Sequence, residues 1–170
     1  MLKILDFDNE KHQSHLYELW WDYLNWSDLI FTQELGISFD VTKSLEEYMT
    51  QLYQFTPPAG RLLLGEYDNK IAGCACLRKI GENIGEVKRM YVKPEFQRKG
   101  IGRSLLLAII QKATHIGYLK LRLDTAPFTK AALALYCSLG FYDIEPYFEK
   151  TEIPLEYREN WVFMELSLKS

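Results

Sequence analysis

The sequence lacks the features that would assign the protein to a membrane, to secretion or to nucleic acid. No apolar run approaches the roughly 20 residues that a membrane-spanning helix needs. Residues Met1 to Asp8 do not have the layout of a signal peptide. The formal net charge is -3 and no basic run is present, which argues against non-specific binding to nucleic acid. We therefore expect a cytoplasmic protein with neither a membrane nor a nucleic-acid partner.

Cysteine is also scarce. Three cysteines do not make the framework of a disulfide-rich fold. Cys74 and Cys76 lie two residues apart in a strand-like run, and this spacing matches no common zinc motif. We expect both to be buried and reduced, and we predict no metal site.

The chain of 170 residues is long enough for one domain with a hydrophobic core, which we take as residues 1–170. Segment Trp26 to Phe39 is rich in aromatic residues and is predicted to be irregular; its aromatic side chains either pack helices onto a sheet or line a pocket. Hydrophobic periodicity predicts strands over Lys3–Asp6, Arg61–Tyr67, Ile71–Ile80, Glu86–Val92, Tyr118–Asp124 and Trp161–Leu166, and another that begins at Phe141. It predicts helices over Asn9–Asn25, Val41–Tyr53 and Lys130–Leu139, and a further helix that ends near Gly117.

A glycine-containing loop joins the fourth of these strands to the helix that ends near Gly117. Gly100 and Gly102 stand where that helix begins, so no Cβ atom would keep an anion from the unpaired backbone amides. Gln97, Arg98, Lys99 and Arg103 add donors and positive charge. The loop is therefore a candidate cradle for phosphate or pyrophosphate, although it matches neither of the usual nucleotide-binding glycine motifs.

The elements on either side of this loop make a strand–helix–strand crossover, which places the two strands side by side and parallel. The three preceding strands read as an antiparallel meander. We therefore predict an α/β fold with a mixed sheet of six to seven strands, antiparallel at first and parallel around the loop, flanked by about four helices. A crevice between the parallel strands is the expected ligand position.

Three motifs follow one another along the chain: Arg89–Val92 followed by Pro94 and the loop Gln97–Gly102, the alternating strand Leu119–Asp124, and the run from Ala132 through Tyr136 to Gly140 and Phe141. In this order they resemble the GNAT superfamily of acetyl-CoA-dependent N-acetyltransferases. The resemblance implies acetyl-CoA as cosubstrate, with its pyrophosphate on the amides of Gln97, Arg98, Lys99, Gly100, Ile101, Gly102, Arg103 and Ser104. It also implies that the main chain of Met90, Tyr91 and Val92 pairs with the pantetheine arm.

The same resemblance assigns catalytic roles. Tyr136 matches the tyrosine beside the coenzyme sulfur, and the Met90 amide would polarise the thioester carbonyl. Glu86 stands where some members carry a glutamate base; the alternative is an exposed strand-end carboxylate paired with Lys88. Thr129 replaces an asparagine that contacts the pantetheine in many members, and a hydroxyl can make only one of its two bonds.

We expect an acceptor amine to attack the thioester directly in a ternary complex, with Glu86 taking its proton and Tyr136 protonating the thiolate. A covalent acetyl-cysteine is disfavoured because no cysteine has a histidine partner in these motifs, and Cys137 is expected to pack. A small-molecule amine is favoured over a peptide because the segments Trp26–Phe39 and Tyr147–Asn160 would close the site. A protein or peptide acetyltransferase and a non-catalytic acyl-CoA-binding domain stay open, and a homodimer is plausible by family habit.

Overall fold

Seven strands form one mixed sheet in the computed structural model, which describes residues 1–168. The strand order is β1-β2-β3-β4-β5-β7-β6. Their bounds are β1 Leu2–Asp6, β2 Arg61–Tyr67, β3 Lys70–Gly81, β4 Ile84–Val92, β5 Lys120–Thr125, β6 Tyr142–Asp143 and β7 Val162–Ser167. The predicted antiparallel meander of β2, β3 and β4 and the parallel β4–β5 pair are both confirmed.

Four α-helices flank the sheet within residues 1–168: α1 Asn9–Leu35, α2 Val41–Thr50, α3 Ile101–Ile116 and α4 Lys130–Ser138. Asp8 and Asp40 cap α1 and α2, since each side chain accepts a hydrogen bond from amides in the first turn. Short 3-10 helices cover Leu52–Phe55, Pro94–Phe96 and Leu155–Asn160. Within the same residues no helix is both long and apolar enough to cross a membrane.

Helix α1 is ten residues longer than the sequence predicted, because it ends at Leu35 rather than Asn25. The irregular structure expected from Trp26 onward is therefore wrong as far as Leu35. No glycine or proline interrupts the chain before Gly36, which ends the helix with a positive φ of 68° and donates to the Thr32 carbonyl. The added turns place Trp26 against Tyr91 and Phe31 against Trp161.

Among the described residues, the buried hydrophobic side chains form three clusters, and the sheet separates the two larger ones. Helices α3 and α4 cover one face, where Leu105 and Ile109 are fully buried. Helices α1 and α2 cover the other face, where Trp20 packs with Cys74 and Cys76. Both cysteines are buried and unpaired, as predicted. Two other expectations are wrong: Cys137 is exposed rather than packed, and Leu119, expected to begin the alternating strand, precedes β5 and is exposed.

Candidate functional site

A β-bulge in β4 creates the opening in which the candidate residues lie. Cys74 pairs with Tyr91 and Cys76 pairs with Lys88, so two residues of β4, Arg89 and Met90, lie opposite one residue of β3. Arg89 has a positive φ of 52°, which marks the bulge. Because a bulge bends its strand, β4 can diverge from β5 in this region.

The parallel pairing of β4 and β5 is correspondingly short. It runs from Ile84 with Lys120 to Glu86 with Arg122 and continues no further, although β4 extends to Val92 and β5 to Thr125. A cavity of about 1000 Å³ lies where the strands part. Of the predicted site residues, six line it: Met90, Tyr91, Val92, Gln97, Thr129 and Tyr136.

The glycine loop borders this cavity at the start of α3. Gly100 has a φ of 80°, and no side chain caps the helix, so the amides of its first turn have no partner from a capping residue. Gly102 is not required by packing within the chain, since a Cβ there would meet nothing closer than Leu135 Cδ2 at 3.7 Å. Residues 98–104 lie outside the cavity lining itself. Gln97 Nε2 donates to the Val92 carbonyl at 3.2 Å and so holds the loop against β4.

Tyr136 lies on α4 and is 7% exposed. Burial, followed by the nearby charge of Asp124, raises the pKa of its phenol to about 12. The phenol is therefore protonated at neutral pH and can act as a proton donor. Thr129 precedes this helix, and its hydroxyl donates to the Ala126 carbonyl at 2.8 Å, so the side chain is engaged locally.

Glu86, predicted to be either the base or an exposed carboxylate, is almost completely buried. It is 1% exposed and does not line the cavity, so the alternative of an exposed carboxylate paired with Lys88 is wrong. One of its oxygens accepts from Arg78 Nε at 2.9 Å and lies 2.8 Å from Arg78 Nη2, and the other accepts from the Tyr147 hydroxyl at 2.7 Å. Because this carboxylate is buried outside the cavity lining, the geometry does not favour Glu86 as the base.

Asp124, at the carboxyl end of β5, is the carboxylate that lines the cavity near Tyr136. Trp161 Nε1 donates to its Oδ1 at 3.2 Å, and Lys88 Nζ lies 3.8 Å from Oδ2. Sequence reasoning missed this residue as a site candidate, although its place at the end of a parallel strand was the signal that could have found it. Burial acts to lower the pKa of Lys88, but Asp124, Glu86 and Glu152 outweigh it and raise that pKa.

Sequence reasoning also missed two further residues that line the cavity, Arg89 and Glu152. Arg89 lies in a box of aromatic rings, with its guanidinium carbon 3.6 Å from the centre of the Tyr48 ring. Glu152, which precedes the Leu155–Asn160 turn, lies 3.6 Å from Arg89 Nη2 and 3.6 Å from Lys88 Nζ. We call the six residues Arg78, Glu86, Lys88, Arg89, Asp124 and Glu152 the charge cluster.

An aromatic roof covers one side of the cavity. Phe31 lies at its centre and makes edge-on contacts with three other rings at centroid distances of 5.7 to 6.3 Å. The roof joins α1, the segment before α2, the β5–α4 loop and the residue before β7, through Phe31, Phe39, Phe128 and Trp161. Each of these side chains lines the cavity, so the roof limits what can enter.

Comparison with known proteins agrees with this geometry. The model of the acetyltransferase (GNAT) family matches residues 13–141. An uncharacterized N-acetyltransferase of Schizosaccharomyces pombe is 31% identical over 140 residues, which is 81% of this chain and 82% of that protein. A GNAT-family acetyltransferase structure from Staphylococcus aureus has a TM-score of 0.77 at 18% identity, covering 99% of this chain and 100% of that chain. PaiA N-acetyltransferase from Thermoplasma acidophilum, solved with coenzyme A, has a TM-score of 0.71 at 20% identity over 98% of this chain and 99% of its own.

Proposed function

The chain belongs to the acetyltransferase (GNAT) family and is an acetyl-CoA-dependent N-acetyltransferase; from this premise we propose that its acceptor is a small molecule carrying a primary amine. The observation that carries the proposal is the cavity between β4 and β5, which the aromatic roof covers and into which Tyr136 and Asp124 project from two different elements. A roofed cavity of about 1000 Å³ suits a small acceptor better than a folded protein surface.

The residues at the start of α3 suit the pyrophosphate of acetyl-CoA. Gly100 and Gly102 leave the first-turn amides open, and Arg98, Lys99 and Arg103 surround them with positive charge. The main chain of Met90, Tyr91 and Val92 lies beyond the last β4–β5 pair, so it can pair with the pantetheine arm in place of a neighbouring strand. Thr129 lies on the same wall with one hydroxyl lone pair to offer.

Acetyl-CoA supplies the acetyl thioester, and the residues of the cavity supply the proton transfers. The amine nitrogen forms a bond to the acetyl carbon while the carbon–sulfur bond breaks. We assign the amine proton to Asp124, directly or through water, and the proton that neutralises the thiolate to Tyr136. The Met90 amide remains our candidate for polarising the thioester carbonyl. Lys88 and Trp161 support Asp124 by holding its two oxygens.

The proposal is tested by thiol release from acetyl-CoA with a panel of small amines and short peptides. We expect turnover with small amines and a 10- to 100-fold loss of kcat in Tyr136→Phe, because a proton donor typically contributes about 10²–10⁴-fold and a thiolate needs less help than most leaving groups. Tyr53→Phe, an exposed tyrosine outside the cavity, is the matched control. Turnover of peptides alone would contradict the assignment of a small acceptor.

A further inference from the structure

The charge cluster contains three cations and three carboxylates, but the two cations that line the cavity are incompletely paired. Arg78 contacts Glu86 at hydrogen-bond distance. Lys88 and Arg89 instead meet their carboxylates only at 3.6 to 3.8 Å. Arg89 donates one hydrogen bond, to Gln51 Oε1, and its buried Nε and Nη1 have no hydrogen-bond partner within residues 1–168. A buried guanidinium is stabilised most by a carboxylate at hydrogen-bond distance, and Arg89 lacks one.

Glu152 is the carboxylate shared by both cations, and it is the most exposed member of the charge cluster. Its side chain is 37% exposed, whereas those of Lys88 and Arg89 are 13% and 1% exposed. It lies on an irregular segment between β6 and β7 rather than on a strand. Lys88 and Arg89 are thus held in place by β4, while the carboxylate that they share comes from a surface segment.

We propose that Lys88 and Arg89 bind a carboxylate of the acceptor, so that the acceptor is an amino acid or a similar amine that also carries a carboxylate, and that Glu152 occupies this position until the acceptor displaces it. The inference rests on the proposed function, because it names the acceptor of the same cavity. The exchange replaces one monoanion by another, so the charge cluster keeps its balance of three positive and three negative charges.

A cationic acceptor such as a polyamine fits the same groups less well. Glu152 already lies within 4 Å of Arg78, Lys88 and Arg89, so a second ammonium group would meet three positive charges around one carboxylate. Glu47 and Glu156 also line the cavity, but both are exposed, and solvent and salt screen their charges. The incomplete pairing of Lys88 and Arg89 therefore favours the carboxylate end of an acceptor beside β4.

The test compares free L-amino acids with their carboxamides, which keep the amine and lose the negative charge. Binding to the acetyl-CoA-loaded protein is measured by calorimetry, and turnover is measured by thiol release. We expect at least one amino acid to bind and to be acetylated with a kcat/KM about 10- to 100-fold above that of its carboxamide. Lys88→Met should reduce this ratio towards one.

Glu152→Gln provides an independent readout on an exposed side chain, so it is not compromised by misfolding of the core. It removes the competing carboxylate and should lower KM for the amino acid while leaving KM for the carboxamide within twofold. Glu159→Gln, an exposed glutamate of the same segment outside the cavity lining, is the control.

Three results would overturn the inference while leaving the transferase activity intact. They are turnover only of amines without a carboxylate, equal binding of amino acids and carboxamides, and no binding of any amino acid to protein that binds acetyl-CoA. Failure of the proposed function is distinct, because it would appear as thiol release with peptides alone and with no small amine, whether or not that amine carries a carboxylate.

Discussion

Glu86→Gln separates the structural role of the buried Arg78–Glu86 pair from a catalytic one. The substitution keeps the shape of the side chain and removes its charge. Arg78 would then keep two neutral hydrogen-bond partners, the Gln54 side chain and the Lys150 carbonyl. Its nearest remaining carboxylate would be that of Glu152, at 3.8 Å. Loss of one partner from a buried ion pair costs about 3–5 kcal/mol, and the remaining contacts place the expected cost near the lower bound, about 3 kcal/mol.

This cost should be visible in thermal and denaturant unfolding. For a domain of this size, each kcal/mol corresponds to a change of roughly 2–4 °C in Tm, so Glu86→Gln should lower Tm by about 6–12 °C. Glu82→Gln is the matched control, because Glu82 is an exposed glutamate in the turn that precedes β4. The control should leave Tm unchanged within experimental error.

Turnover should follow the opposite pattern. Below the Tm of the variant, we expect kcat of Glu86→Gln within about fivefold of wild type, because the carboxylate lies outside the cavity lining. Asp124→Asn should instead lower kcat by about 10²-fold or more, the loss typical of a missing general base. If Glu86→Gln kept the wild-type Tm and lost kcat 100-fold, the assignment based on burial would be refuted and the base predicted from the sequence would be restored.

Three further predictions concern the coenzyme site, the roof and pH. Gly102→Ala should raise the free energy of unfolding by up to about 1 kcal/mol, since alanine favours a helix and its Cβ meets only ordinary contacts. The same substitution should weaken acetyl-CoA binding in calorimetry, and an unchanged affinity would argue against close approach of a phosphate to Gly102. Phe31→Ala should open the roof and raise kcat/KM for short peptides relative to small amines in thiol-release assays, whereas an unchanged ratio would show that the roof does not select. Burial and then Asp124 raise the pKa of Tyr136 to about 12, so this phenol stays protonated as the pH rises through 10. The acetylation rate should therefore show no alkaline decrease below pH 10. A decrease below pH 10 that is absent in Tyr136→Phe would contradict the raised pKa.

The parts of the fold that depend on local sequence were predictable. The bounds of β2 match the prediction at both ends, and the glycine loop leads into a helix as expected. The predicted end of α1 at Asn25 is too early because the aromatic residues that follow suggest irregular structure. The absence of glycine and proline before Gly36 is the stronger signal.

The charge cluster could not be predicted from local patterns, because its members are brought together by the sheet. Glu86 and Arg78 face each other in the β3–β4 register, while Glu152 comes from a segment more than sixty residues further along the chain. The bulge at Arg89 adds a second difficulty, since it breaks the alternation that would otherwise assign the faces of β4. The alternation of side chains along a strand puts Glu86 and Lys88 on the same face of β4, yet only Lys88 lines the cavity.

Through Arg89, the bulge also connects the hydrophobic core beneath α1 and α2 to the acceptor side of the site. It directs Arg89 among Trp20, Tyr48 and Phe55, so α1, α2 and the 3-10 turn all hold the same guanidinium. The residues proposed to hold the pyrophosphate lie instead at the start of α3, which packs on the other face of the sheet. Substitution of Glu152 should therefore change which amine is accepted while leaving acetyl-CoA affinity unchanged, because its carboxylate lies within 4 Å of Arg78, Lys88 and Arg89 rather than at the start of α3.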